Sequence, residues 1–167
     1  APSFIFVTPK LKMPIRSRVR NRRQVGADRI VNAVAAHHRF SGGPLLVIDF
    51  GTATPFDAIT ARSEFIGGAI APGLKIINEA LDEKCAQLPL VPLKQPRRII
   101  GRTTVEAIRS GVFLGYISLV EGMITRFKKE LGPRLKVIAT GGLAPLIARG
   151  TKSIDVVDPT LTLSGLY

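Results

Sequence analysis

The stretch Leu45–Phe56, LLVIDFGTATPF, decides how the chain is interpreted. Four apolar residues lead to one carboxylate, Asp49, and Gly51, Thr52 and Thr54 follow it closely. A buried strand that ends in an acid and a Gly/Thr turn often presents hydroxyls and backbone N–H groups to a phosphate or a metal ion. An ordinary β-hairpin with Asp and Gly in its turn has the same local pattern. The stretch alone leaves both interpretations open.

Apolar periodicity and turn residues on both sides of this stretch predict a mixed α/β domain. Before it, the polar turn Gly26–Arg29 leads into a helix of about three turns with Asp28 in its first turn, where the helix dipole favours an acid. After it, two further strands complete a β-meander. The predicted strands are 45–49, 56–61, 64–71, 135–139 and an edge strand at 154–157, and the later helices are 74–88, 103 or 104 to about 131, 143–148 and 161–166, with a Pro-rich loop at 89–98.

Two glycines, Gly111 and Gly115, lie one turn apart on the long helix. Each glycine costs about 1 kcal/mol in a helix interior. We therefore expect close packing at this position against another element or a partner chain, and a homodimer formed through this helix.

Composition excludes several classes of protein. With 46% hydrophobic residues the chain can bury a sizeable core. No apolar run approaches the roughly 20 residues that a membrane span needs, so we expect a soluble protein without membrane contact. The single cysteine, Cys85, rules out an internal disulfide framework and fits a cytoplasmic location. Its helical, apolar neighbours favour a packing role over a nucleophilic one.

The net charge of +12 suggests a nucleic-acid binder, but its distribution does not. Seven cationic residues lie in residues 1–23, no acid precedes Asp28, and no aromatic residue follows Phe6 in that stretch to stack on a base. Nucleic-acid binding is therefore disfavoured. We interpret residues 1–23 as a basic connector, the remnant of a preceding half, and residues 24–167 as the main domain. Since the chain lacks a start methionine, we expect that it begins within a larger protein.

Three polar turns adjoin the predicted strands and helices: Gly26–Arg29, Asp49–Thr54 and Thr140–Gly142. In open α/β sheets, ligands bind beside such turns. No Ser-His-acid arrangement with a nucleophile elbow occurs, and no zinc-ligand spacing is present. The residues therefore favour a nucleotide or phosphate site.

Seven segments in register resemble type III pantothenate kinase. They are GADRIVNAVAA (26–36), VIDFGTAT (47–54), GGAIAPG (67–73), QLPLV (87–91), IGRTTVEAIRSGVFLGY (100–116), IATGG (138–142) and VDPTLTLSGL (157–166). The resemblance implies an α/β fold of the actin/sugar-kinase/Hsp70 (ribonuclease H-like) type, with two related halves and ATP between them. It also implies ATP-dependent phosphorylation of pantothenate, the first step of coenzyme A synthesis, by a homodimer that needs potassium or ammonium.

The resemblance further implies roles for individual residues. Asp28 matches the family's general base, which accepts the proton of the pantothenate hydroxyl. Asp49 matches the ligand of the potassium ion. The remaining positions are the substrate segment Gly26, Ala27, Asp28 and Arg29, the pantothenate contact Thr104, the ATP-phosphate turn Gly51 and Thr52, and the adenosine turn Gly141 and Gly142.

The sequence departs from the family's pattern at two points. The Asp-x-Gly-Asn-Thr turn that holds ATP and its magnesium does not occur, and Pro55 stands where the family usually has Thr, which removes an N–H donor. We therefore expect a chain that carries the substrate and cation half of the site and does not turn over alone. A non-catalytic relative that binds a ligand or acts as a regulator is the alternative.

Overall fold

The apolar run Leu45–Asp49 forms a central strand that is buried on both of its faces. In the computed structural model, which describes residues 14–166, Leu46 and Ile48 belong to one hydrophobic core and Leu45 and Val47 to another. Alternate residues of a strand point to opposite faces, so an uninterrupted apolar run requires cover on both sides. The elements in chain order are β1 (Arg16–Ser17), a short 3-10 helix (Arg22–Gln24), α1 (Ala27–Phe40), β2 (Leu45–Asp49), β3 (Ala53–Ile59), β4 (Glu64–Pro72), α2 (Leu74–Lys84), α3 (Thr104–Leu131), β5 (Lys136–Thr140), α4 (Ala144–Ala148), β6 (Val156–Val157) and α5 (Leu161–Ser164).

The six strands form one mixed sheet in the order β1-β4-β3-β2-β5-β6. Strands β2, β3 and β4 are the predicted antiparallel meander. Strand β5 returns parallel to β2 after the crossover through α2 and α3, and β6 and β1 add short parallel edges. The mixed α/β class is therefore confirmed for the described residues.

Helices cover both faces of the sheet. On one face, α1 and α5 pack over β2 and β3, with Ile30, Ala33 and Leu161 fully or nearly fully buried. On the other face, α3 and α4 enclose the larger core through residues such as Phe113 and Val120. A ligand therefore meets residues of α1 and α5 on one face of the sheet and residues of α3 and α4 on the other.

Several predicted boundaries are wrong by a few residues. Strand β3 begins at Ala53 rather than Phe56, because Ala53–Pro55 pair with residues 70–72 of β4. Helix α2 ends at Lys84 rather than Leu88, and Cys85 is its C-terminal cap. The apolar residues Phe4–Val7 also have a β-like pattern in the sequence, and they lie outside the described residues.

The described part of the basic connector belongs to the sheet. The backbone N–H of Arg16 donates to the Ser63 carbonyl at 3.0 Å, and that of Arg18 donates to the Phe65 carbonyl at 2.8 Å. Ile15 and Val25 are buried in the core beneath α1. The described residues of the connector therefore pack with the main domain, and the division at residues 23–24 stays a prediction.

Helix α3 begins where the hydroxyl pattern predicts. The Thr103 hydroxyl accepts a hydrogen bond from the Glu106 N–H at 3.2 Å, which caps the first turn. With 28 residues, α3 is long and apolar enough to cross a membrane by length and composition. Its buried face, however, packs on the sheet through Phe113, Tyr116 and Val120. In this fold α3 is a core helix.

Gly111 and Gly115 of α3 are exposed, and outside the nearby backbone of the helix itself no atom of the described chain lies within 4 Å of a methyl group built on either. No element of residues 14–166 therefore supplies the close packing that we expected at Gly111 and Gly115. The other expected neighbour, a partner chain, stays a prediction.

Alanine substitutions at Gly68 in β4 and at Gly111 in α3 compare a closely packed glycine with an open one. A methyl group at Gly68 would lie 1.7 Å from the Phe56 carbonyl oxygen, so Gly68→Ala must separate β3 from β4 and is expected to lower the free energy of unfolding by about 2 kcal/mol or more. Gly111→Ala meets open space and is expected to raise it by up to about 1 kcal/mol. Urea unfolding measures both. A destabilising Gly111→Ala would contradict the open face and indicate a neighbour on it.

Candidate active site

Acidic side chains on two neighbouring strands face the first turns of α1. In β2 the residues Leu45, Val47 and Asp49 share one face, and in β3 Asp57 lies opposite Val47 on that same face. Helix α1 crosses this face and brings Arg29 to the strands. Alternation along the strands therefore places two carboxylates under one helix.

Arg29 and Asp57 form a buried, bidentate ion pair. The Arg29 Nε donates to both carboxylate oxygens at 3.0 and 3.2 Å, and Nη2 donates to Oδ1 at 2.5 Å. The side chains are only 16% and 3% exposed, and the guanidinium lies 5.9 Å from the centre of the Phe65 ring. Arg29, which the resemblance places in the substrate segment, therefore has a guanidinium that is already bound to a carboxylate.

Asp49 is oriented by a second contact from α1. The Asn32 amide donates to Asp49 Oδ2 at 3.1 Å, and the Thr162 hydroxyl donates to Asn32 Oδ1 at 2.7 Å. Asn32 is 2% exposed, so the middle of this chain of contacts from α5 through α1 to β2 is shielded from water. It fixes one oxygen of Asp49 and leaves Oδ1 on the side of the Thr140–Gly142 turn.

Gly141 lies against that free oxygen. A methyl group at position 141 would lie 2.3 Å from Asp49 Oδ1 and 2.8 Å from the Phe50 N, and the backbone has φ of +89°. Both facts require glycine here. Gly142 is exposed, and a methyl group there would meet nothing within 4 Å. The predicted adenosine turn and the predicted cation ligand are therefore direct neighbours.

Burial and repulsion by neighbouring acids raise the pKa values of Asp49 and Asp57. Desolvation raises the pKa of Asp49, the hydrogen bond from Asn32 opposes it, and the charge of Asp28 adds to it. For Asp57, desolvation outweighs the opposing Arg29 and raises the pKa to about 6. Three carboxylates in mutual range are a local excess of negative charge that a bound cation would relieve.

Asp28 and Asp49, but not Asp57, line an open pocket of about 300 Å³ beside the end of β2. Five predicted site residues meet there: Asp28, Arg29, Asp49, Gly51 and Thr52. Its remaining lining residues are Ala53, Pro55 and Ile70. Gly26 and Ala27 start α1 directly beside it, and a methyl group at Gly26 would lie 2.4 Å from Asp28 Oδ1.

Thr104 does not line this pocket. It is an exposed residue at the start of α3, the helix that covers the opposite face of the sheet. The hydroxyl of Thr54, which belongs to the stretch Leu45–Phe56, does not line the pocket either. It is fully buried and shares a 2.5 Å hydrogen bond with the Tyr116 hydroxyl, so it is not presented to a ligand.

Sequence reasoning missed Asn32, Asp57 and Thr162. A signal for Asp57 exists, since strand alternation puts it in the same buried row as Ile59, where an unpaired carboxylate would be costly. No comparable signal marks Asn32 or Thr162, because they lie 130 residues apart.

The sequence and the fold were compared with those of known proteins. The family model described as type III pantothenate kinase matches residues 1–126. Type III pantothenate kinases with similar sequences include those of Acidiphilium cryptum, 52% identical over 87% of this chain and 54% of the relative, and Rhodospirillum rubrum, 48% identical over 99% and 64%. The relative from Moorella thermoacetica is 50% identical over 97% and 63%. The chain thus spans between half and two thirds of the length of these curated relatives.

Two solved structures resemble the fold. A Campylobacter jejuni protein described as a Baf family transcriptional activator has a TM-score of 0.50 at 24% identity, over 81% of this chain and 60% of the other. An Alp12 filament structure has a TM-score of 0.52 at 17% identity, over 84% and 50%. At these identities the likeness concerns the fold alone.

The ion pair leads to a prediction about pH. Because burial raises the pKa of Asp57 to about 6 in the folded chain, this group lowers the free energy of unfolding as the pH rises from about 4 to about 6. Carboxyl ¹³C NMR is expected to give a midpoint near 6 for Asp57. Arg29→Gln removes a cation that favours the charged form, so the midpoint should move higher.

Arg62→Gln, at an exposed turn outside the pocket, is the matched control and should leave the midpoint unchanged. A midpoint near 4 in the unaltered chain, or one that Arg29→Gln does not move, would contradict the electrostatic description of the site.

Proposed function

Because the chain belongs to the type III pantothenate kinase family, we propose that it carries the pantothenate and cation side of an ATP-dependent kinase. The reaction transfers the γ-phosphate of ATP to the hydroxyl of pantothenate and gives 4'-phosphopantothenate, the first step of coenzyme A synthesis. The chain spans 54–64% of the relatives' lengths, and the family's Asp-x-Gly-Asn-Thr turn does not occur in it. The whole activity is therefore proposed for the chain together with such an ATP-binding segment.

One observation carries this proposal. Asp28 lies in the first turn of α1, whereas Asp49 and Thr52 lie at the end of β2 and in the turn that follows it, yet these two segments line a single pocket. Phosphoryl transfer depends mainly on positioning and charge neutralisation, with one acid that orients the nucleophile. A pocket with an exposed acid, a half-buried acid and a Gly/Thr turn meets these needs.

Asp28 is the proposed general base. It is exposed on the first turn of α1, and it is not one of the carboxylates that accept hydrogen bonds from Arg29 or Asn32. It can therefore accept the proton of the pantothenate hydroxyl. Arg29 is proposed to act chiefly as a positioning residue, since its ion pair with Asp57 ties the first turn of α1, and with it Asp28, to the sheet.

The residues around Asp49 fit a monovalent cation, potassium or ammonium. Asp49 Oδ1 is free of the Asn32 hydrogen bond, and the paired residue on β5, Thr140, has a buried hydroxyl without a partner among residues 14–166. Hard cations take such oxygen ligands. No group of three or more His, Cys, Asp or Glu side chains within the described residues could hold a metal ion, so carbonyl and water oxygens would complete the shell. A bound cation would offset the repulsion between Asp28 and Asp49.

The phosphates of ATP are proposed to contact the exposed turn Gly51 and Thr52, and adenosine to lie at Gly141 and Gly142. Magnesium would come with ATP. The Asp-x-Gly-Asn-Thr turn that holds it in the family does not occur in this sequence, so no residue of this chain is assigned to it. Pro55 lines the pocket without an N–H to offer, so the phosphates depend on its neighbours.

The fold type, the oligomeric state and the cellular location of the chain are also proposals. The mixed sheet with helices on both faces supports one half of an actin/sugar-kinase/Hsp70-type fold. The exposed Gly111 and Gly115 support a homodimer through α3, and a contact of Thr104 with bound pantothenate would then come from the second copy. The free Cys85 supports a cytoplasmic location. The non-catalytic alternative gains nothing from the relatives named above, which are all described as kinases.

Replacement of the proposed base tests the mechanism. Asp28→Asn keeps the shape and removes the proton acceptor, so kcat is expected to fall about 10²–10⁴-fold with a smaller change in KM for pantothenate. The assay uses a chimera in which the N-terminal segment of the Rhodospirillum rubrum relative precedes this chain. Glu79→Gln, an exposed acid on α2, is the control. Full activity of Asp28→Asn would rule out the general-base role.

The cation proposal is tested by thermal unfolding of the chain itself. A cation that binds only the folded state raises the melting temperature, so potassium chloride should stabilise the chain more than sodium chloride at equal ionic strength. Asp49→Asn should abolish this difference, whereas Asp82→Asn on α2 should retain it. Equal effects of the two salts on the unaltered chain would argue against a cation site at Asp49.

A further inference from the structure

A second pocket lies between the loop that joins α2 to α3 and the first turns of α3. Its volume is about 670 Å³, and it shares no lining residue with the pocket at Asp49. Four cationic side chains line it together with one carboxylate, that of Glu106. We call it the basic pocket, and its cations are Lys94, Arg97, Arg98 and Arg109.

The single carboxylate does not neutralise this charge. Glu106 Oε2 accepts a hydrogen bond from the Arg102 backbone N–H at 2.8 Å, so it serves the start of α3. Its contact with Arg98 Nη2 is long, 3.7 Å, between side chains that are 50% and 42% exposed. Such a surface pair is worth little and leaves the guanidinium available. The pocket therefore keeps an excess of positive charge.

Arg109 supplies a donor that has no acceptor. Its Nε is buried and has no hydrogen-bond partner among residues 14–166. A buried donor without a partner costs about 1–3 kcal/mol. Because the Arg109 side chain also lines the basic pocket, an anion bound there is a candidate for the missing acceptor.

The loop is held in place before any ligand arrives. The Asn78 amide donates to the Val91 carbonyl at 2.8 Å, and the Ser110 hydroxyl donates to the Ile99 carbonyl at 2.5 Å. A methyl group at Gly101 would lie 2.3 Å from the Ala107 N, so the loop lies directly on the first turn of α3. A preformed pocket loses less conformational entropy when it binds a ligand.

We propose that the basic pocket binds a small polyphosphate anion, either inorganic pyrophosphate or the phosphate chain of a nucleotide. Guanidinium groups match phosphate oxygens with two parallel hydrogen bonds, and several cations with one engaged acid suit a ligand that carries more than one negative charge. No aromatic side chain lines the pocket, so it offers no stacking surface for the bases of a nucleic acid. The volume lies in the usual range for small-ligand sites.

Calorimetric titration of inorganic pyrophosphate into the chain tests the proposal. The unaltered chain should bind one equivalent, and the double variant Arg98→Gln/Arg109→Gln should bind about tenfold or more weakly, because it loses two charge-assisted contacts. Arg149→Gln/Lys152→Gln removes the same charge from exposed positions outside the pocket and should change the affinity by less than about twofold. Circular dichroism melting confirms that each variant is folded.

Two further readings separate the possible sources of the anion. The Arg109 Nε–Hε resonance should shift with pyrophosphate, and the same shift with ATP but not with adenosine would identify the phosphate chain as the recognised group. Equal loss of affinity in the two double variants, no saturable binding, or tighter binding of a single-stranded oligonucleotide would each overturn the proposal. None of these titrations uses pantothenate, so their failure would leave the proposed kinase function untouched, and failure of the kinase function would leave the basic pocket untouched.

Discussion

The buried ion pair between Arg29 and Asp57 determines the geometry of the candidate active site. It joins the first turn of α1 to β3 through three hydrogen bonds, with both side chains largely removed from water. Desolvation of two charges is repaid only when each is well paired, and loss of one partner leaves the other buried and uncompensated, at a cost of about 3–5 kcal/mol. Asp28 directly precedes Arg29, so the ion pair also fixes the position of the proposed base.

The rest of the site follows from how α1 crosses the sheet. Two turns of α1 supply Arg29 to β3 and Asn32 to β2, and α5 supports Asn32 from behind through Thr162. Asp49 is thereby held with one oxygen engaged and one free beside Gly141. The molecule thus has two pockets of opposite chemistry: an acidic one at Asp49 that suits a cation and a hydroxyl substrate, and a basic one at Arg109 that suits an anion.

Sequence patterns predicted the meander and α3 because these features are local. A run such as Leu45–Asp49, bounded by turn residues, specifies a strand, and Thr103 with Glu106 specifies a helix start. The resemblance to a known family also named five residues that the fold brings into one pocket. Predicted ends were less accurate, since Ala53–Pro55 join β3 only through pairing with β4.

Contacts between distant segments could not be predicted in this way. The Arg29–Asp57 pair joins residues 28 positions apart, and Thr54 meets Tyr116 across 62 positions. Thr54 stands three residues after Gly51 in the same polar turn, yet strand alternation turns its hydroxyl into the core beneath α3. Which hydroxyl of the turn reaches the pocket is therefore decided by tertiary packing rather than by the motif.

The central claim is that this chain holds the pantothenate side of a kinase. Calorimetric titration of pantothenate into the folded chain, in potassium-containing buffer and without ATP, tests it most directly. Saturable binding with one site per chain is the result that the pocket at Asp28 and Asp49 predicts. A chain that is folded by circular dichroism and gives no binding heat at millimolar pantothenate would contradict the claim.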